Sequence, residues 1–415
     1  MMRYFFAVIA ALLAQIAVGA HAATAAAVDW VQLGPGGAAE ARAVLDGDSC
    51  PEITIDGIGY RMAERTAAGA NFPRLCATTL PATARNAAIL GAVVPLPKPM
   101  PNRIIVLGDT GCRILRNTVQ ACNDPAKWPF GRIAAEAAKL NPDLVIDVGD
   151  YLYRESPCPA GNRECAGSPW GDNWVTWNAD FFAPAAPLLA AAPWVFVRGN
   201  HEECDRSGLG WLRLLGPLPF AEGAACVEHI APYVVPLPPI SLVVIDDANA
   251  PETSAPANLI QLYRGDLAAV SALGSGPLWL AMHRPISGYV KVPPGLSAGG
   301  NQTLLNAIHA DGFPRSVDLL LSGHIHAFEA INYKSDLPPQ LIAGHGGDNL
   351  DAAPSDLTTP NIGGLPVASG LSLPGFGFLL LTRMDAGWNI DVFDGSGVRE
   401  RTCVFASRHL DCPVH

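Results

Sequence analysis

From Arg103 onward the chain repeats one pattern: a short, mostly apolar run ends in Gly or a polar residue, and a stretch of helical spacing often follows. The runs are Ile104–Leu107, Leu144–Val148, Trp194–Val197, Ile240–Ile245, Leu278–Met282 and Val317–Leu321. Apolar runs this short, with little polar alternation, predict strands buried on both faces. Helical spacing covers Arg132–Leu140, Leu259–Leu273 and Leu304–Ala310. Phe181–Ala192 shares it, but Pro184 and Pro187 interrupt that stretch. Strands alternating with helices predict an α/β fold with parallel pairing. In the last third, Leu341–Ile342, Phe378–Thr382 and Trp388–Phe393 read as antiparallel strands, expected to complete a second sheet.

Before Arg103 the pattern is different. Residues 23–99 lack long periodic segments and read as a small β-rich appendage. Ile53–Tyr60 alternates around Asp56-Gly57, which predicts a hairpin. Gly34-Pro35-Gly36-Gly37 is followed by no Gly-Lys-Ser/Thr, so it reads as a turn, not a phosphate loop. The alternating prolines from Pro95 to Pro101 form a stiff linker into a larger domain over 100–415. Residues 1–22 have the form of an export signal: Arg3, an apolar core from Tyr4 to Val18, and Ala20-His21-Ala22 as cleavage site. No later stretch is apolar for long enough to cross a bilayer, so no membrane attachment is expected after cleavage.

The chain has 415 residues, 49% of them hydrophobic, which is ample for a large core. A net charge of −11 with no Lys/Arg cluster argues against nucleic-acid binding. An anionic substrate must therefore be held by a local site. The ten cysteines fall into near-neighbour pairs: Cys50/Cys76, Cys112/Cys122, Cys158/Cys165, Cys204/Cys226 and Cys403/Cys412. In an exported chain these predict disulfides, in preference to thiolate ligation by Cys112 or Cys204.

The strand ends carry the chemistry. They offer Asp109, Asp150 with Tyr153, Asn200 with His201, His283, and His324 with His326. Singly, each has an ordinary explanation as a turn, a helix cap or a core residue. His324 and His326, two apart at a strand end, are expected to point the same way. Together the groups describe two metal ions. Asp150 can bridge both through its two oxygens, and hard oxygens such as Asp109 and the Tyr153 phenolate suit iron(III). Neutral Asn200 with imidazoles suits a divalent ion such as zinc, iron or manganese. Two close metals lower the pKa of bound water and clamp the oxygens of an in-line displacement. His345, in a Gly-rich loop, is left either beside the site or on the surface, and Asn301 begins a glycosylation sequon.

These residues resemble the five ordered blocks of purple acid phosphatase-type metallophosphoesterases, within the calcineurin-like superfamily. The blocks GDxG, GDxxY, GNH(D/E), VxxH and GHxH correspond to Gly108–Gly111, Gly149–Tyr153, Gly199–Glu202, Leu280–His283 and Gly323–His326. Leu280 replaces the usual Val. The resemblance implies an α/β/β/α sandwich. It implies iron(III) on Asp109, Asp150, Tyr153 and His326, and a divalent ion on Asp150, Asn200, His283 and His324. His201 then binds phosphate or protonates the leaving group. The implied activity is an exported (periplasmic or secreted) acid phosphomonoesterase that acts on small phosphate esters with metal-activated hydroxide. A phosphodiesterase or nucleotidase on the same scaffold, or a non-catalytic metal- or phosphate-binding protein, are the alternatives. Many relatives carry further histidines after VxxH, but Arg284–Pro294 has none. The number of subunits is left open.

Overall fold

Alternation within the apolar runs sorts the core into layers. In this computed structural model, which describes residues 28–413 except 46, 274–275, 293–294, 300, 355 and 359–364, two sheets pack face to face. Ile104 and Val106 of the strand Arg103–Leu107 point into the layer between the sheets, as do Leu242, Val244, Trp279, Ala281, Leu319 and Leu321 from the opposite sheet. Their sequence neighbours point outward. Ile105 and Leu107 meet Ile133 and Ala137 of the helix Phe130–Lys139. Val243, Leu280 and Leu320 meet the helices Ala257–Ala272 and Gln302–Asp311. The result is an α/β/β/α sandwich, as expected.

Phe130–Lys139 shows why these helices sit where they do. Phe130, Ile133, Ala134 and Ala137 are buried at helical spacing, and Lys139 lies in the last turn, favourably placed on the helix dipole. Each large apolar side chain so buried contributes about 1.5–3 kcal/mol. Between the sheets, Trp279 packs edge-on against Trp388 at 4.9 Å and near Phe405 at 6.2 Å, joining one sheet to the other. The proline-interrupted stretch is helical after all. Trp174–Trp177, Asn178–Phe182 and Ala183–Leu189 follow without a break, with a π turn ahead of Pro184.

Among the described residues the first sheet has 11 strands and the second seven. In the first, Arg103–Leu107, Leu144–Asp147 and Trp194–Phe196 are parallel neighbours. In the second, Ile240–Val244, Leu278–Ala281, Val317–Ser322 and Gln340–Ala343 are parallel in that order. Two expectations about the last third need correction. Leu341–Ile342 lies in Gln340–Ala343, which pairs parallel with Val317–Ser322. Phe378–Thr382 and Trp388–Phe393 lie in Gly377–Met384 and Gly387–Asp394. These strands run antiparallel but extend the first sheet, through pairing of Gly377–Met384 with Arg103–Leu107. Local alternation fixes which face is buried, not which partner is chosen.

The N-terminal region is β-rich. Val28–Leu33, Ala39–Leu45, Arg74–Thr79 and Ala63–Thr66 continue the first sheet beyond Trp194–Phe196. Glu52–Ile55 and Ile58–Arg61 form the predicted hairpin, turning at Asp56 (φ 49°) and Gly57 (φ 84°). Pro35–Gly37 is a single 3₁₀ turn. All five near-neighbour cysteine pairs are disulfides. Among the described residues no helix is long and apolar enough to cross a membrane. The signal segment 1–22 lies outside them.

Candidate metal centre

The parallel strands of both sheets end at one edge of the sandwich, the usual place for a site in open sheets. Here the backbone departs from regular geometry. Asp109 (φ 56°), Asp150 (φ 64°) and His324 (φ 71°) adopt the left-handed conformation. Each such residue costs on the order of 1–3 kcal/mol and persists only where its surroundings enforce it. They do so here: Asp109 N donates to Gly149 O (2.8 Å), and His324 N donates to the Asp109 carboxylate (2.9 Å). Val317–Ser322 ends before His324, so strand alternation is not what places the two histidines. His324 approaches Asp150 and His283, while His326 approaches Tyr153 and Asp109. The glycines of the motifs have a steric reason. A Cβ on Gly199 would overlap the Asp150 carboxylate and backbone, and one on Gly323 would meet Asp109 Oδ2.

At the first half of the site, the buried Tyr153 hydroxyl lies 3.0 Å from Asp109 Oδ1, 2.9 Å from Asp150 Oδ2 and 3.2 Å from His326 Nε2. One O–H can serve only one acceptor at a time. His326 Nδ1 donates to Asn349 O (2.7 Å), and its Nε2 lies 3.2 Å from Asp109 Oδ1. Two carboxylate oxygens and an imidazole nitrogen thus converge on one phenol oxygen. Burial, then the Asp109 and Asp150 carboxylates, hold the phenol well above its ordinary range. Ionising it requires a cation among these same atoms.

The second half repeats the problem. His283 Nδ1 donates to Val148 O (2.9 Å), and Nε2 lies 3.0 Å from Asn200 Oδ1 and 3.2 Å from Asp150 Oδ2. One ligand atom each from Asp150, His283 and His324 lie within 4.8 Å of one another. Burial disfavours a charged imidazole, yet Asp150 pushes His283 up to about 9. Against the same burial, Asp348 and Asp109 push His326 up to about 10. Without metal, the protein draws protons into places where cations belong. Carboxylates, a phenol, an amide oxygen and imidazoles suit a hard ion beside a borderline one.

The calcineurin-like phosphoesterase family model matches residues 102–328, more than half of the chain and all five motifs. This chain is a calcineurin-like phosphoesterase. Two solved structures share its fold. A purple acid phosphatase, PPD1, from yellow lupin (Lupinus luteus) seeds is 12% identical with a TM-score of 0.57, covering 92% of this chain and 74% of that one. PhoD is 12% identical with a TM-score of 0.52, covering 94% and 91% respectively. No curated protein matches the sequence. The phosphoesterase is thus a phosphoric ester hydrolase.

All eight residues singled out in the sequence meet in this phosphoesterase's site. His201 lies at its edge: its backbone N donates to Asp150 Oδ1 (2.8 Å), its Nδ1 is 2.6 Å from Glu155 Oε1, and its Nε2 is 3.9 Å from Asp150 Oδ2. Its pKa is depressed, with burial as the leading cause.

The residues that hold this set in place were not foreseen. Buried Glu202 accepts hydrogen bonds from the backbone N of Gly199, Asp150, Tyr151 and Leu152. Asp247 accepts from the backbone N of His283 and Arg284 and from Asn301 Nδ2. Asn301 is thereby fully buried as the cap of Gln302–Asp311, so its sequon is inaccessible. Arg113 pairs with Asp348 and stacks 4.8 Å over the Tyr153 ring. Glu252 meets His324 and Arg284 and is pushed down to about 2, chiefly by its hydrogen bond with His324. Only Glu202 had a signal in the sequence, as the last position of its motif. His345 is buried, packs near Phe328, and is pushed by burial down to about 4. It lies neither on the surface nor among the eight.

Proposed function

We propose that this phosphoesterase is an exported, binuclear acid phosphomonoesterase acting on small phosphate esters. Asp109, Asp150, Tyr153 and His326 would hold iron(III), while Asp150, Asn200, His283 and His324 would hold zinc, iron or manganese. When bound, such a pair activates water and neutralises charge on the transferring phosphoryl group. The observation that carries the reading is the buried Tyr153 hydroxyl, on which two carboxylate oxygens and an imidazole nitrogen converge within 3.2 Å.

The chain's own groups supply the rest. Asp150 turns one oxygen to Tyr153 and His283 and the other to the His201 backbone, so its orientation is fixed. Glu155 Oε1 lies 2.6 Å from His201 Nδ1, while Nε2, 2.9 Å from Arg206 Nη2, is the ring nitrogen on the Asp150 side. There His201 can give a proton to the departing alkoxide. Its depressed pKa means that the protonated form is populated only on the acidic side, which supports an acidic optimum. Five disulfides support export.

The test is hydrolysis of a chromogenic phosphomonoester and its matching diester from acidic to neutral pH, by protein loaded with iron and zinc. The expected result is monoester turnover dominating at acidic pH. Diester dominance would replace the reading with a phosphodiesterase or nucleotidase. No turnover, in a sample shown to hold two ions, would replace it with a binding protein.

A further inference from the structure

The three imidazoles proposed as metal ligands are not held alike. His283 and His326 each place Nδ1 on a backbone carbonyl, Val148 O at 2.9 Å and Asn349 O at 2.7 Å, and turn Nε2 inward. His324 is reversed. Its Nε2 meets a side chain, Glu252 Oε1, at 2.6 Å. An ionised carboxylate only accepts, so this contact places the ring proton on Nε2 and leaves the Nδ1 lone pair for the centre. Glu252 is itself fixed by Arg284, whose Nη1 lies 2.6 Å from the same Oε1, while Nη2 reaches Glu203 Oε1 at 3.3 Å. Arg284 follows His283 directly and its Nε and Nη2 also donate to Ala248 O at 3.3 Å. Three loops are tied together: the one after Ile240–Val244, the one after Leu278–Ala281, and the one after Trp194–Phe196.

We infer that Glu252 is the positioning residue for His324, setting its tautomer and aim, and that Arg284 braces Glu252. The inference rests on the two-metal reading above. It also makes the two halves of the centre unequal. The Tyr153 half is braced by buried groups, whereas the His324 half depends on a carboxylate with 40% of its side-chain surface exposed. Partners of metal-bound imidazoles typically change metal affinity by about 10–100-fold when removed. The loss on removing Glu252 falls on the divalent ion alone.

The experiment compares full-length wild type, Glu252→Ala and Glu252→Gln, each loaded with iron and zinc. Zinc affinity is measured by competition with a chelator, bound metals are counted by elemental analysis, and the visible absorption of iron–tyrosinate is recorded. Glu252→Ala is expected to weaken zinc binding about 10–100-fold and to leave the iron content and absorption band unchanged. Glu252→Gln keeps an acceptor oxygen and is expected to recover part of that loss. The intact band reports a folded site, so a misfolded variant cannot pass for a positive result. Wild-type zinc affinity in Glu252→Ala, or loss of both metals together, would overturn the inference. A wild-type protein that binds fewer than two ions would overturn the two-metal reading itself, and this one with it.

Discussion

The two sheets give the site different chemistry. Loops after strands of the first sheet carry the oxygen donors Asp109, Asp150, Tyr153 and Asn200, whereas loops after strands of the second carry the imidazoles His283, His324 and His326. The close contacts of these three imidazoles with the oxygen donors therefore cross from one sheet to the other. The Tyr153–His326 and Asp150–His283 approaches, both 3.2 Å, are set by how the apolar faces of the sheets pack. Neither sheet contains a half-formed centre. The buried layer between them is thus also what sets the distances in the site.

Asp150 faces groups from both sheets, so its loss should have the largest effect. Asp150→Asn is expected to lower kcat/KM by about a thousandfold or more, on the order of 4 kcal/mol, with loss of bound metal in elemental analysis. Trp279→Ala removes one large side chain from the layer between the sheets without touching a proposed ligand. It should cost about 3–5 kcal/mol in denaturant unfolding. If metal affinity fell with it, the packing layer would be shown to hold the site distances. His201→Ala leaves every donor in place and should retain both ions while losing roughly 10²–10⁴ in kcat, read by stopped assays on metal-counted protein. Tyr153→Phe acts on one half only. It should abolish the visible band and leave zinc affinity near wild type, and a band that survived would put the tyrosinate elsewhere. The smallest effect is expected at His229, whose Nε2 lies 2.8 Å from Asp266 of the helix Ala257–Ala272. Burial opposes its charge, but the hydrogen bond and charge of Asp266 win and raise its pKa above 6.5. The pair's stabilisation is then fully present below pH 6.5 and is lost as pH rises through the raised value. Because the pair is only partly buried, it should amount to less than about 1 kcal/mol, seen as a pH-dependent difference in Tm between wild type and His229→Gln.

Much of this arrangement was legible in the sequence because the signals are local. An apolar run of four to six residues followed by Gly-Asp, Gly-Asn-His or Gly-His-x-His places a ligand at a strand end without knowledge of the partner strand. The hairpin at Asp56-Gly57 and the short-range disulfides are equally local. What stayed hidden depends on distance along the chain. Glu252 meets His324 across 72 positions and Arg113 meets Asp348 across 235, and nothing near either residue marks the other. Gly377–Met384 joins the first sheet, not the second, for the same reason: an alternating strand buries one face whichever neighbour it takes. Strand alternation is not what brings His324 to this site. The strand stops at Ser322, and a left-handed turn aims the ring.

That left-handed backbone bears on how the site should be dissected. At Asp109 and Asp150 the main chain sits in a region that Asn and Asp enter far more readily than Ala or any β-branched residue. Alanine there would remove a donor and also force an unsuited residue into the turn, mixing loss of chemistry with damage to the scaffold. Asparagine keeps the shape and the conformational preference while deleting the charge. At these two positions it is the substitution whose phenotype can be read as chemistry alone.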